Sequence, residues 1–160
     1  MKYTVRFSCG HVEAKVLFGK GADRDRTIQH WQDHGVCTDC YRQAQVSQEQ
    51  KRSSEMGLPT LTGSEKQVTW ATKLRLEMIS ERQQDILALG IRASNEKGIR
   101  ARLAEIGKDA LLTEVAAKFE GDKRDHAVDF YCKAIVAITK LDEAKTQPSA
   151  KWFIENRQER

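Results

Sequence analysis

Apolar and polar residues alternate strictly over residues 2–7, with Tyr3, Val5 and Phe7 on one side and Lys2, Thr4 and Arg6 on the other. A period of two marks a strand with one covered face. The alternation resumes over residues 11–18 through Val12, Ala14 and Val16, with Leu17 and Phe18 crowding its end. Ser8, Cys9 and Gly10 lie between the two runs, and the backbone freedom of Gly10 suits a turn, so the segment predicts a short hairpin.

Beyond Gly19 and Gly21 the spacing becomes helical. Ile28 and Trp31 predict a short helix over residues 22–31, capped near Asp23 and ended by Gly35. Tyr41, Ala44 and Gln48 share a face of a second helix over residues 40–52. Residues 53–61 read as a linker, rich in small and polar residues around Pro59 but with Leu58 and Leu61 able to pin it. Thr62 and Glu65 then match a capping box, so a long helix should start there. Val68, Ala71, Leu74 or Arg75, Met78 and Ile79 form its apolar stripe, Trp70 lies beside the stripe, and Gly90 ends it. Further helices are predicted from Ile99, Leu103 and Ile106 up to Gly107, from Leu111, Val115 and Phe119 up to Gly121, and from Val128, Tyr131, Ile135, Ile138 and Leu141 beginning near Asp122. Pro148 breaks the pattern, and Ser149 can cap a last short helix carrying Trp152, Phe153 and Ile154, expected to dock on the helical domain against the Trp70 face.

Composition adds modest constraints. The chain has 160 residues, 39% of them hydrophobic and 7% aromatic, with a mean hydropathy of -0.63, which suits a small module joined to a helical domain. No apolar run approaches a membrane span and the first residues look like a strand instead of a leader, so a soluble, cytoplasmic protein without a membrane partner is expected. The 27 basic and 23 acidic residues are interspersed, and the net charge of +4 tilts the chain only weakly toward an anionic partner.

The sharpest chemistry lies in the cysteines. Cys37 and Cys40 form a C-x-x-C, and Cys9 with His11 forms a shorter C-x-H. Zinc favours tetrahedral sulfur and nitrogen ligands, and two short chelating turns supply four of them if the chain doubles back. A knuckle that feeds a helix aims backbone amides at thiolate sulfurs and favours their charged form. Four protein ligands leave no open position, so the expected cofactor is a structural Zn2+. The alternatives are a redox pair at Cys37 and Cys40, which leaves Cys9 and His11 unexplained, and a buried Cys9 thiol with a surface His11. His30 and His34, four residues apart on the predicted short helix, are alternatives to His11, while Cys132 reads as a thiol in or near a helical core.

No metalloprotease, Walker, nucleophile-elbow or zinc-deaminase motif is present in the sequence. Asp122, Asp125, His126 and Asp129 can share one side of a helix, a pattern that also describes an ordinary solvated face. No residue is assigned a catalytic role.

The run L-P-T-L-T-G-S-E-K-Q-V-T-W-A over residues 58–71, continuing to Leu74 and Arg75, resembles a segment recurring in small uncharacterised proteins of bacteria, bacteriophages and other mobile elements. The closing S-A-K-W-F-I-E-N-R over residues 149–157 is similar to their aromatic ending, and the cysteine-bearing first forty or so residues resemble their beginning. The resemblance implies one recurrent architecture and suggests roles in gene regulation, handling of nucleic acid or interference with host defence.

These readings combine into an α+β protein: a zinc-ribbon-like module over residues 1–52, a linker over 53–61 and a mainly α-helical domain over 62–160. The expected function is noncatalytic binding of nucleic acid or nucleoprotein, with Arg24, Arg26, Arg42, Lys66, Arg75 and Arg157 as candidate phosphate contacts. A protein-interaction or inhibitor module with a macromolecular protein target is one alternative and an enzyme of unassigned class another. Lys66 and Gln67, at a helix start, can meet a phosphate or simply belong to the cap. Trp70 and Trp152 read as core anchors, to be reread as base-stacking platforms if either is exposed beside Lys66, Arg75 or Arg157.

Overall fold

A computed structural model describes residues 1–158, so the final two residues of the predicted helical segment lie outside the description. An N-terminal β-hairpin module is followed by a mainly α-helical domain, and the chain divides into units Met1–Arg52 and Ser53–Arg160.

In the first unit, β1 (Lys2–Arg6) pairs antiparallel with β2 (Val12–Val16), and α1 (Gly21–His34) and α2 (Thr38–Glu55) follow. Phe7 N–H donates to the His11 carbonyl at 2.9 Å across the turn, so Phe7 and His11 are opposite one another. Side chains on a strand change face at every residue, and this pairing therefore decides which β2 residues turn inward. His11, Glu13 and Lys15 share the face of Val5 and Tyr3, whereas Val12, Ala14 and Val16 oppose Arg6, Thr4 and Lys2 on the outer face. The apolar alternation of β2 thus points to solvent, contrary to what hydrophobic patterning alone implies. The buried face is small: Val5, Phe7 and Cys37 form its centre, with Tyr3, Ile28 and Trp31 packed around them, and α1 contributes no fully buried residue. Phe7 and Trp31 stack with ring centroids 5.9 Å apart.

The second unit begins within the last turns of α2 and contains α3 (Glu65–Ala88), α4 (Ala93–Lys118), α5 (Gly121–Thr146) and α6 (Ala150–Glu155), with a 3-10 turn over Asn156–Gln158. α5 packs against both α3 and α4, and α6 lies against α3. Ile79, Ala134, Ile138, Ala144 and Phe153 sit at or near complete burial in the shared core. The segment between α2 and α3 takes part as well, because Leu61 is buried and Leu58 packs on the same core.

The helix start after this segment differs from the Thr62–Glu65 box. Ser64 is the cap: its hydroxyl accepts from Gln67 N–H at 3.4 Å, and the Gln67 side-chain oxygen accepts from Ser64 N–H at 2.9 Å. Thr62 is withdrawn from capping by a parallel bridge to Ser149, in which its N–H donates to the Pro148 carbonyl at 2.8 Å and its carbonyl accepts from Ala150 N–H at 3.0 Å. Gly63, between them, has φ of +154°, and a Cβ there would stand 3.1 Å from the Ala150 Cβ. The expected helix break at Gly107 is a kink inside α4, where φ of +79° takes one residue out of the helix. Ser149 caps α6, accepting from Trp152 N–H at 3.4 Å.

Arg75 corrects the list of candidate surface cations. It is 2% exposed, donates to the Pro59 carbonyl at 2.7 Å and the Ser53 hydroxyl at 2.5 Å, and lies 6.0 Å from the Phe153 ring centroid. No carboxylate among the described residues pairs with it, and burial pulls its guanidinium below the ordinary range. It ties the pre-α3 segment and α6 to α3 instead of facing a partner. On the outside, Arg100 joins α4 to Asp142 of α5, and Glu114 accepts from Lys118 at 2.7 Å and from Arg102.

Replacing Arg75 by Ala opens a void and strands the Pro59 carbonyl, so we expect urea unfolding of the second unit to show a loss of about 2–4 kcal/mol. Lys118 and Arg102 hold the Glu114 carboxyl down to about 2. Its stabilising contribution is therefore present above the ordinary value of 4.5 and disappears as pH falls toward about 2. Glu114→Gln should lower the urea midpoint at neutral pH, with the gap to the parent closing over that acidic window.

Candidate metal centre

Because the turn places His11 opposite Phe7, the imidazole comes to the buried face of the hairpin, where the start of α2 delivers Cys37 and Cys40. His11 Nδ1 is 3.2 Å from Cys40 Sγ and 3.6 Å from Cys37 Sγ. Cys9, in the turn, receives the Cys37 N–H on its sulfur at 3.3 Å, and Cys37 Sγ in turn receives the Cys40 N–H at 3.4 Å. The donor atoms of Cys9, His11, Cys37 and Cys40 all lie within 4.8 Å of one another. Ligands held tetrahedrally around zinc are separated by about 3.5–3.8 Å. All four cysteines of the chain are free thiols. The Cys3His cluster is thus geometrically compatible with a structural zinc site.

Its electrostatics point the same way. The Cys37 backbone N–H, followed by the His11 N–H, brings the Cys9 thiol down to about 6. Cys40 is pushed up to about 11, first by its hydrogen bond with Cys37 and then by burial and the Cys9 sulfur. Several sulfurs this close resist joint ionisation, and a divalent cation removes that conflict by neutralising them together. A core of so few residues is a second argument: modules of this size seldom gain more than about 3–5 kcal/mol from apolar packing and depend on a staple.

A carboxylate next to the cluster, absent from the sequence reading, supports it. Glu13 accepts from the Thr38 N–H at 3.1 Å, from the Thr38 hydroxyl at 2.8 Å and from Lys15 Nζ at 2.9 Å. The Thr38 amide, then Lys15, holds this carboxyl down to about 2. Glu13 thereby caps α2 across 25 residues of sequence and fixes the helix start from which the cysteine knuckle hangs. An acid at the residue-13 position of an alternating strand gave only a faint signal, since surface acids are common there.

The other residues singled out stand elsewhere. His30 and His34 face each other on the exposed side of α1, ring centroids 5.5 Å apart, outside the cluster. Cys132 is half-buried on α5 and lines a groove with Arg82, Leu89 and Val136. Asp125 pairs with Arg124 and Asp129 with Lys133, while His126 donates to the Asp122 carbonyl at 2.7 Å. Among the cations, Arg24 donates to Tyr3 Oη at 2.8 Å and to the Gly19 carbonyl at 2.5 Å, which commits it to the hairpin. Arg26 and Arg42 form exposed i,i+3 pairs with Asp23 and Asp39. Lys66 is exposed and has no ionic partner among the described residues. Arg157 lies 5.2 Å from the centroid of the Trp70 ring, which is 45% exposed.

No protein-family model matches the chain, and comparison with curated proteins and with solved structures yields no match. No helix among the described residues is long and apolar enough to cross a membrane.

Cobalt provides an optical test of the centre. One Co2+ per chain should be taken up with the sulfur-to-metal absorption of a tetrahedral thiolate site; Cys37→Ser and His11→Ala should lose or distort that spectrum, and Cys132→Ser should keep it.

Proposed function

We propose that this is a noncatalytic nucleic-acid-binding protein, in which a structural zinc ion holds a zinc-ribbon-like module and a basic, tryptophan-bearing face of the helical unit takes single strands. The observation that carries the reading is the exposed Trp70 ring with the Arg157 guanidinium 5.2 Å from its centroid. Lys66 lies one helical turn before Trp70 on the same side of α3, and neither Lys66 nor Arg157 is neutralised by a carboxylate among the described residues. An unpaired base can stack on an aromatic ring or on a guanidinium plane, and a neighbouring cation meets the phosphate. A tryptophan serving only as a core anchor has no need of that exposure, and in this unit Phe153 and Ile79 fill the core.

In this reading zinc does no chemistry. Its ligands Cys9, His11, Cys37 and Cys40 supply a closed coordination shell, and the gain is a folded first unit. Arg75 has left the contact set, Arg24 serves the hairpin, and Lys66 with Arg157 become the principal phosphate contacts.

The test is fluorescence anisotropy with labelled single-stranded and duplex oligonucleotides over a salt series. Single strands should bind more tightly than duplex, with affinity falling as salt rises. Trp70→Ala should weaken binding by about 1–3 kcal/mol, and Lys66→Ala and Arg157→Ala should each flatten the salt dependence by about one phosphate contact. Absence of binding at low salt, or binding indifferent to Trp70, would refute the assignment.

A further inference from the structure

The outer face of the hairpin has no role in the metal centre or in the Trp70 surface, and its composition is unusual. Val12, Ala14 and Val16 are all exposed, with Val12 55% and Val16 57% accessible, and Phe18 immediately beyond is 86% accessible. Across the ladder on this face stand Lys2, Thr4 and Arg6. The face carries no acidic residue, and neither Lys2 nor Arg6 has an ionic partner among the described residues. Exposed apolar residues scattered singly need no explanation, but a contiguous stripe bordered by unpaired cations does.

The backbone of β2 is also open. Phe7 bonds His11, and Met1 and Leu17 exchange bonds at 2.9 and 3.0 Å, so the odd-numbered β2 residues are those that bond to β1. In an antiparallel ladder the alternate residues then direct their N–H and C=O groups away from the partner strand. Here these are Val12, Ala14 and Val16, whose outward groups bond to nothing among the described residues. The same residues thus offer an unpaired strand edge and an apolar stripe.

We infer that β2 docks an extended, acidic-apolar segment of a partner protein, which adds a strand at the β2 edge. Its apolar side chains lie along Val12, Val16 and Phe18, and its carboxylates reach the Lys2 and Arg6 side chains over the small Ala14. Edge addition takes affinity from main-chain bonds and specificity from alternate side chains. Charge selects this occupant over others. A second copy of the chain would bring the same unneutralised cations, and nucleic acid would find a single aromatic ring on an otherwise aliphatic surface, whereas a carboxylate-bearing strand satisfies both groups of residues.

The experiment selects a phage-displayed library of random peptides against the immobilised full-length chain. Enriched peptides should carry Val, Ile, Leu or Phe and Asp or Glu in turn at every second position, apolar-x-acidic-x-apolar, because only alternate side chains of the added strand meet the face that bears Val12, Val16, Lys2 and Arg6. Their affinity should fall about tenfold or more both for Val12→Thr/Val16→Thr/Phe18→Ser and for Lys2→Glu/Arg6→Glu, and should be unchanged for Trp70→Ala. Threonine keeps the β-branch and all the altered positions are exposed, so undiminished cobalt uptake shows that the hairpin is intact. No enrichment over bare resin, or peptides that bind the altered chains equally well, would overturn the inference. So would a single-stranded oligonucleotide or a phosphatidylserine vesicle binding through these residues while no peptide is enriched. Because Trp70 serves as the control, failure here is separable from failure of the nucleic-acid reading.

Discussion

The convergence of Cys9 and His11 from a strand turn with Cys37 and Cys40 from a helix start governs the N-terminal unit. His11 can reach the other donors only from the inner face of β2, and that orientation fixes the register of the whole ladder. Everything on the even-numbered positions of β2 must then face outward, whatever its hydrophobicity. The geometry of the cluster therefore goes with both the set of residues packed inside the unit and the set that faces solvent. Glu13 and Thr38 extend the constraint by fastening the start of α2 to the same strand face.

The two units solve the problem of stability differently. The helical unit buries a continuous apolar core between α3, α4, α5 and α6, and even accommodates the Arg75 guanidinium by giving it carbonyl, hydroxyl and ring neighbours. The hairpin unit has little apolar burial and instead gathers three sulfurs and one imidazole in an arrangement compatible with a structural zinc site. The free surfaces differ in consequence: the helical unit displays a cationic tryptophan face, and the hairpin unit displays an aliphatic strand edge.

Much of this was legible in the residues. Periodicity placed the hairpin and the long helices, glycine and proline marked their ends, and ligand spacing picked out the four clustered donors. What failed did so for identifiable reasons. Ser64 rather than Thr62 caps α3 because the bridge to Ser149 uses the Thr62 backbone, a contact across 87 residues that no local pattern reveals. Arg75 falls on the apolar stripe of α3, and charge alone suggested a surface contact where the fold supplies buried acceptors. The outward apolar face of β2 was hidden because alternation gives the period of a strand and not its direction, which here depends on the ligand and the turn.

The bridge between Thr62 and Ser149, with α6 beyond it, also orders events in time. Phe153 is fully buried in a core that also draws on Ala71, Leu74, Met78 and Ile79 of α3, and its ring lies beside the Arg75 guanidinium. During synthesis, α3 and its charged side chain must therefore wait, one wall missing, until the segment from Pro148 onward has left the ribosome. In that interval Arg75 can remain hydrated, and the late arrival of an aromatic lid converts a solvated cation into an interior one. The helical unit is in this sense closed over α3 by a segment that lies far along the chain from it.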